Sequence, residues 1–236
     1  MVNILLVSPR KGEHIAAAEY QDVLKATGLT PDQVTHRMLD DATKTVGDTA
    51  GFDGIIVGGS PLLVTSPEYD DWQLQVHKEL EALLANPLPV FFLCYGNTFV
   101  ASITGGSVNR EWAEDSGPTV VRLTEAGLND PITSGLPAEF LAVTGHTENA
   151  ASVGTGVELL ATGPTCPIQI VRANASTWAC QFHAEMDADA LQTRMDFYYD
   201  YGYFSPADYD TIVATTHKYT YDGAHQVLRN FVAYCE

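Results

Sequence analysis

Pro89-Val90-Phe91-Phe92-Leu93-Cys94-Tyr95-Gly96-Asn97 is the stretch on which the fold of this chain turns. An apolar run rich in aromatic and β-branched residues, of strand length, ends abruptly on a cysteine. A glycine follows two residues later, ahead of a segment (97–103) able to turn helical. This is the layout of a nucleophile elbow, in which a sharp strand-to-helix turn lifts a side chain out of the sheet into a cleft. Such a turn needs a residue without a clashing Cβ beside the nucleophile, and Gly96 supplies one. Sulfur suits acyl transfer through a thioester once a base or a helix N-terminus favours its thiolate. Taken alone, the segment fits equally well a small hydrophobe closing a buried strand.

A second segment decides between these. Thr177-Trp178-Ala179-Cys180-Gln181-Phe182-His183-Ala184-Glu185 reads as another short strand ending in a histidine, with a carboxylate two residues on. A cysteine nucleophile needs a general base, and that base needs an acceptor on its other ring nitrogen. In extended chain, residues i and i+2 face the same side, so Glu185 can reach His183. Cys94, His183 and Glu185 together favour catalysis.

The surrounding pattern alternates strands and helices. Residues 4–7 are strand-like, 13–27 form an alanine-rich helix ending near Gly28, and 33–39 and 54–57 read as strands. Residues 69–84 carry Trp72, Val76, Leu80, Leu83 and Leu84 at helical spacing, with Asp70 and Asp71 where acidic groups suit the helix dipole. This repetition predicts an α/β fold, a mostly parallel sheet with helices on both faces. Functional residues then belong at the C-terminal strand ends, where Gly58, Gly59, Cys94 and His183 fall. From 119 to 181 short strands are joined by Gly/Pro turns (119–123, 139–144, 157–162, 167–172 and 177–181), an antiparallel edge and return. Residues 195–204 crowd Phe197, Tyr198, Tyr199, Tyr201, Tyr203 and Phe204 together. They read as a helix and loop laying aromatics on the core, or as a segment covering the site or binding a partner. Val227, Leu228, Phe231, Val232 and Cys235 share one face of a last helix that should dock on the same body.

The 236 residues, 45% hydrophobic, are ample for one large core. The net charge of −18, from 30 acidic against 12 basic residues, argues against nucleic acid and anionic membranes as partners. No apolar window reaches membrane-spanning length, and the first residues read as a strand rather than a signal peptide. The cysteines lack metal-type spacing, so reduced thiols in the cytoplasm are expected, with Cys166, Cys180 and Cys235 structural and no metal or cofactor implied.

With these segments the chain resembles the class I glutamine amidotransferases, whose flavodoxin-like domain hydrolyses glutamine with a Cys-His-Glu triad. It is most similar to the stand-alone GMP-synthase-like members. The family elbow Cys-x-Gly-x-Gln stands here as Cys94-Tyr95-Gly96-Asn97-Thr98, and Gln-Phe-His-Pro-Glu as Gln181-Phe182-His183-Ala184-Glu185. Gly58-Gly59-Ser60-Pro61 fits the loop after the third strand. Leu123 to Gly127, Asp130-Pro131, Gly135-Leu136-Pro137 and Thr144-Gly145-His146-Thr147-Glu148 fit further family pieces in order. The resemblance covers residues 1–190 as the amidotransferase domain and leaves 191–236 as a C-terminal extension packed on it. Two departures stand out. Thr98 is too short to make the amide contact of the family glutamine, and Ala184 replaces a proline.

The resemblance implies that Cys94 attacks the glutamine amide, His183 moves the proton and Glu185 orients His183. The Tyr95 N–H is one oxyanion donor by elbow geometry, and Gly59 is expected as the second, with Gly58 the fallback. Gly58, Thr98, Thr144, Gly145 and His146 are expected to line the substrate, although His146 taken alone reads as a surface loop residue. No synthetase domain is legible, so the enzyme that uses the ammonia would be a separate synthetase chain, or the protein acts alone. Two alternatives remain: a hydrolase or transferase of another γ-glutamyl compound, and a catalytically silent amidotransferase-like binding protein.

Overall fold

The computed structural model describes residues 1–199 and 203–236. In chain order the elements are β1 (Ile4–Ser8), α1 (Glu13–Thr27), β2 (Val34–Met38), β3 (Gly54–Val57), α2 (Asp71–Leu84), β4 (Val90–Leu93) and α3 (Tyr95–Ile103). There follow β5 (Ser107–Asn109), β6 (Glu114–Leu123), α4 (Glu125–Asn129), β7 (Glu139–His146), β8 (Asn149–Ser152), β9 (Glu158–Thr162), β10 (Ile170–Asn174) and β11 (Thr177–Cys180). The helices α5 (Ala188–Phe197), α6 (Tyr209–Thr216) and α7 (Asp222–Tyr234) end the chain.

Local chemistry sets several of these boundaries. Gly28 takes a left-handed φ of 77° and returns its N–H to Leu24 O at 2.9 Å, closing α1. Asp70 caps α2 by accepting the Gln73 N–H at 2.7 Å. Successive residues of β1 and β4 point to opposite sides of the sheet. Ile4, Leu6, Phe91 and Leu93 pack with Val23, Leu24 and Phe231, whereas Leu5, Val7, Val90 and Phe92 pack with Trp72, Val76, Leu80 and Phe99. Helices therefore cover both faces.

The strand order is β2-β1-β3-β4-β11-β10-β9-β6-β7. The first five strands are parallel and the remainder runs antiparallel. One register places the site. In the parallel pair of β4 and β11, Leu93 stands opposite Cys180, and the Cys94 N–H donates to Cys180 O at 2.8 Å. Both strands leave the sheet at the same edge, so His183 overhangs the end on which Cys94 is raised.

Three differences from the sequence-based expectation are physical. β6 starts at Glu114, five residues before the apolar alternation, because Glu114 is drawn into a hydrogen-bonded cluster. β5 and β8 form a separate two-stranded sheet; they are short and polar and exist through their pairing, Val108 opposite Ala150. The strand sought at 167–172 is shifted to Ile170–Asn174, with the Gln169 side chain turned to Glu114.

The last helix docks as its apolar face requires. Phe231 packs on Phe91 and on Trp178, with centroids 5.5 and 6.1 Å apart. Met186, Leu191, Met195, Phe204 and Tyr221 cluster on Val143 of β7. Of the crowded aromatics, Tyr198 and Phe204 are buried and Phe197 and Tyr199 exposed; Tyr201 lies outside the described residues.

Candidate active site

Cys94 sits in the elbow with φ 50° and ψ −99°, the one positive-φ non-glycine among the described residues. A side chain held in so sparsely populated a region is strained, and the flanking β4 and α3 hold it there. A Cβ on Gly96 would collide with the Phe92 side chain, so the close return of α3 onto β4 requires glycine. Cys94 is 8% exposed, which leaves its sulfur open only to the cavity.

His183 Nδ1 lies 2.7 Å from Glu185 Oε1, and both residues are buried. The His183 N–H donates to Val143 O at 2.8 Å, pinning the histidine to β7. With Nδ1 held by Glu185, the other ring nitrogen is left for the cavity that Cys94 also lines. Burial opposes the charge of His183, but the Glu185 carboxylate and Cys94 outweigh it and hold the imidazole well above its ordinary range. Burial likewise opposes a charged Glu185; the attraction and hydrogen bond of His183, with Arg194 beyond, keep its carboxyl below the usual range.

The cavity over Cys94 and His183 is walled by Ser60 to Leu63, Tyr95, Thr98, Thr144 to Glu148 and Gln181. Arg10, Leu191, Arg194, Tyr198, Tyr203 and Phe204 close it from the other side. The aromatic segment thus serves both of its readings, core and site cover. The Tyr203 carbonyl accepts from Ser116 N and Oγ at 3.3 Å, and the Tyr198 hydroxyl accepts from Arg10 Nη1 at 3.1 Å.

Several expected substrate contacts are corrected. The Gly58 N–H donates to Val7 O at 2.8 Å, and Gly58 backs onto Glu19 rather than the cavity. The Gly59 N–H donates to Glu19 Oε1 at 3.1 Å, so it is not free to meet an oxyanion. Gly59 is nevertheless at the site: a Cβ there would stand 2.9 Å from His183 Cε1 and 3.6 Å from Cys94 Cβ. The next amide, Ser60, lines the cavity and has no partner among the described residues.

Thr98 lines the cavity, but its hydroxyl donates to Tyr95 O at 2.9 Å and Glu148 Oε1 at 3.2 Å. His146 is buried, not a surface loop residue. Thr144, Gly145 and His146 do reach the cavity wall, with the polar groups of Thr144 and His146 turned to Glu114. Glu114 also accepts from Thr119, Thr165 and Gln169. Burial raises its carboxyl, yet the hydrogen bonds of His146, Thr119 and Thr165 win and bring it to about 2. Glu114, His146 and Cys166 offer ligand atoms within 4.8 Å of one another. Burial lifts the Cys166 thiol to about 12 and Glu114 is already saturated with donors, so this cluster is built as a hydrogen-bonded strut.

Sequence reading missed Glu19, Arg10, Arg194 and Glu148. Arg10 Nη2 bonds Glu19 Oε1 at 2.7 Å and Gly59 O at 2.6 Å, fixing the glycine loop from behind. Arg194 Nη2 lies 3.6 Å from Asp22 and 4.0 Å from Glu185. The available signal was buried charge, invisible before the fold; for Glu148 it was also the repetition of His-x-Glu at 146–148.

Comparison with known proteins agrees with this geometry. The family profile described as glutamine amidotransferase class-I matches residues 21–197. The glutamine-hydrolysing GMP synthase of Lactobacillus delbrueckii subsp. bulgaricus is 28% identical over 160 residues, 67% of this chain. The match covers only 28% of that relative's length. One subunit of the glutamine-hydrolysing GMP synthase of Thermoplasma volcanium is 25% identical over 162 residues, 68% of this chain and 71% of the relative. A glutamine amidotransferase structure from Thermotoga maritima superposes with a TM-score of 0.78 at 15% identity, covering 100% of this chain and 99% of that one. No helix among the described residues is long and apolar enough to cross a membrane. A strained cysteine at the end of β4, a His–Glu pair just beyond β11 and a family match over most of the length converge: the chain belongs to the class-I glutamine amidotransferase family.

Proposed function

We propose that this protein hydrolyses the side-chain amide of glutamine through a thioester on Cys94 and releases ammonia for an acceptor bound to a separate synthetase chain. The observation that carries this is the strained Cys94 facing the His183–Glu185 pair across the ends of adjacent parallel strands. Cys94 Sγ, having passed its proton to His183, attacks the amide carbon, and the carbonyl π electrons move onto oxygen. The Tyr95 N–H at the start of α3 meets that oxyanion, with the unpaired Ser60 amide as the second donor in place of Gly59. The oxyanion collapses as His183 protonates the nitrogen, which leaves as ammonia. Water, deprotonated by His183, then attacks the thioester, expelling the Cys94 thiolate and glutamate. Glu185 holds the His183 tautomer and balances its charge throughout.

The name of the Thermoplasma relative, which makes it one part of a GMP synthase, supports a synthetase partner. Residues 1–190 serve as the amidotransferase domain and 191–236 as its extension. The free cysteines fit a reducing cytoplasm. A second reading, hydrolysis of another γ-glutamyl compound, is supported by the Tyr198, Tyr203 and Phe204 wall, which gives a larger leaving group something to pack on.

A glutamine-mimicking chloroketone tests the site. Labelling of Cys94 with loss of ammonia release supports the glutaminase reading. Labelling by generic thiol reagents alone, with no ammonia from glutamine, overturns it.

A further inference from the structure

We propose that Glu148 binds the α-ammonium group of the substrate and so restricts the site to γ-glutamyl amides with a free α-amine. This rests on the reading that such an amide is attacked at Cys94. Among the described residues five carboxylates are buried: Glu19, Glu114, Asp130, Glu148 and Glu185. Glu19 faces Arg10, Glu114 faces His146, Asp130 faces Arg172 and Glu185 faces His183. Glu148 has no cation among the described residues. Its Oε1 accepts from the Val64 N–H at 2.8 Å and from the Thr98 hydroxyl at 3.2 Å, and its Oε2 accepts from the Thr65 N–H at 2.9 Å. Every one of these donors is neutral.

An acceptor so held is oriented but not neutralised, and a desolvated carboxylate without a counter-charge is costly. The cavity that Glu148 lines is the one that holds Cys94, so a ligand can bring the missing charge. The position fits. Thr98 stands one turn of α3 beyond Cys94, and Glu148 is bonded to it. One helical turn, roughly 5 Å, matches the reach from the amide carbon of glutamine to its α-nitrogen. His146 fixes the backbone here, its Nδ1 lying 2.9 Å from Glu148 O. Thr98 and Glu148 together occupy the place of the longer family glutamine: the threonine leaves room, and the carboxylate supplies charge.

The test is calorimetric titration of the Cys94→Ala protein with L-glutamine and with glutaramate, the same amide lacking the amine. Glutamine should bind about tenfold or more tightly, the scale of a hydrogen bond to a charged group. Adding Glu148→Gln should erase that preference. Equal binding of the two ligands, binding of neither, or an equal weakening of both by Glu148→Gln would overturn the proposal; the last would mark Glu148 as a support for the 64–65 loop only. Should Glu148→Gln fail to fold, the ligand comparison in the Cys94→Ala protein alone decides. Ammonia release by the unaltered protein is read separately. Its absence beside amine-dependent binding defeats the glutaminase reading and leaves this one standing, whereas ammonia release without amine dependence does the reverse.

Discussion

His183 and His146 each stand two residues ahead of a glutamate, and each lines the cavity beside Cys94. Their rings are used differently. At 183–185 the glutamate side chain takes Nδ1, so the other nitrogen is left for the nucleophile. At 146–148 the glutamate's carbonyl takes Nδ1, and Nε2 is 2.9 Å from Glu114 Oε2. No nitrogen remains to move a proton, and the Glu148 carboxylate is released to face the cavity. What separates the histidine proposed as the base from the strut is therefore which oxygen of the following glutamate it meets.

The contrast can be broken most sharply at the nucleophile and its base. Cys94→Ala should lower ammonia release from glutamine by about 10⁴-fold or more with the fold intact, and His183→Ala should come within about tenfold of it. Glu185→Gln should be milder, since orienting the base is a smaller task than being it. Steady-state kinetics with circular dichroism check all three. Substantial turnover by Cys94→Ala would remove the thioester from the account.

Gly59→Ala comes next. The added methyl would press on His183 Cε1 from 2.9 Å and displace the ring, so turnover should fall by about 10²-fold, the usual cost of misplacing a catalytic group by about 1 Å. Wild-type turnover would show that the loop yields and that His183 needs no such confinement.

His146→Asn should do the opposite of His183→Ala. It strips Glu114 of a buried hydrogen-bond partner, so stability should drop by about 1–3 kcal/mol, the cost of leaving such a group unpaired, while turnover changes by less than about tenfold. Thermal melting beside kinetics reads both. Lost turnover at unchanged stability would make His146 a reacting group and dissolve the contrast.

The smallest effect concerns the charge behind His183. Burial raises Asp22 to about 7 despite Arg194, with Glu185 and Glu19 nearby adding to the rise. The folded protein therefore binds a proton here that the unfolded chain releases near its ordinary value, and stability should fall as pH rises from about 4 through about 7. Asp22→Asn should raise the melting temperature by a few degrees at pH 8 and change it little at pH 4. An equal shift at both values would mean that Asp22 does not titrate in this window.

The elbow and the His183–Glu185 pair were legible in the sequence because strand, turn and partner lie within a few residues of each other. The same holds for α1, closed by Gly28, and for the apolar face of α7. The rest depends on distant partners. Gly59 has the local sequence of an oxyanion donor, but Glu19, 40 residues earlier, takes its amide. Glu148 holds a loop 84 residues away, and β5 and β8 exist only as a pair. Spacing along the chain brings out the His183-x-Glu185 pair, and only the family resemblance points to residues 144–148; the packing alone shows where each ring nitrogen is spent.

The central claim, a γ-glutamyl thioester on Cys94 formed by the His183–Glu185 pair, is tested most directly by acid-quenching the protein during turnover of glutamine and reading peptide masses. A peptide containing Cys94 heavier by one glutamyl unit, labile to hydroxylamine and absent from Cys94→Ala, is the expected result. Ammonia release with no such adduct, or an adduct on another residue, would contradict the account.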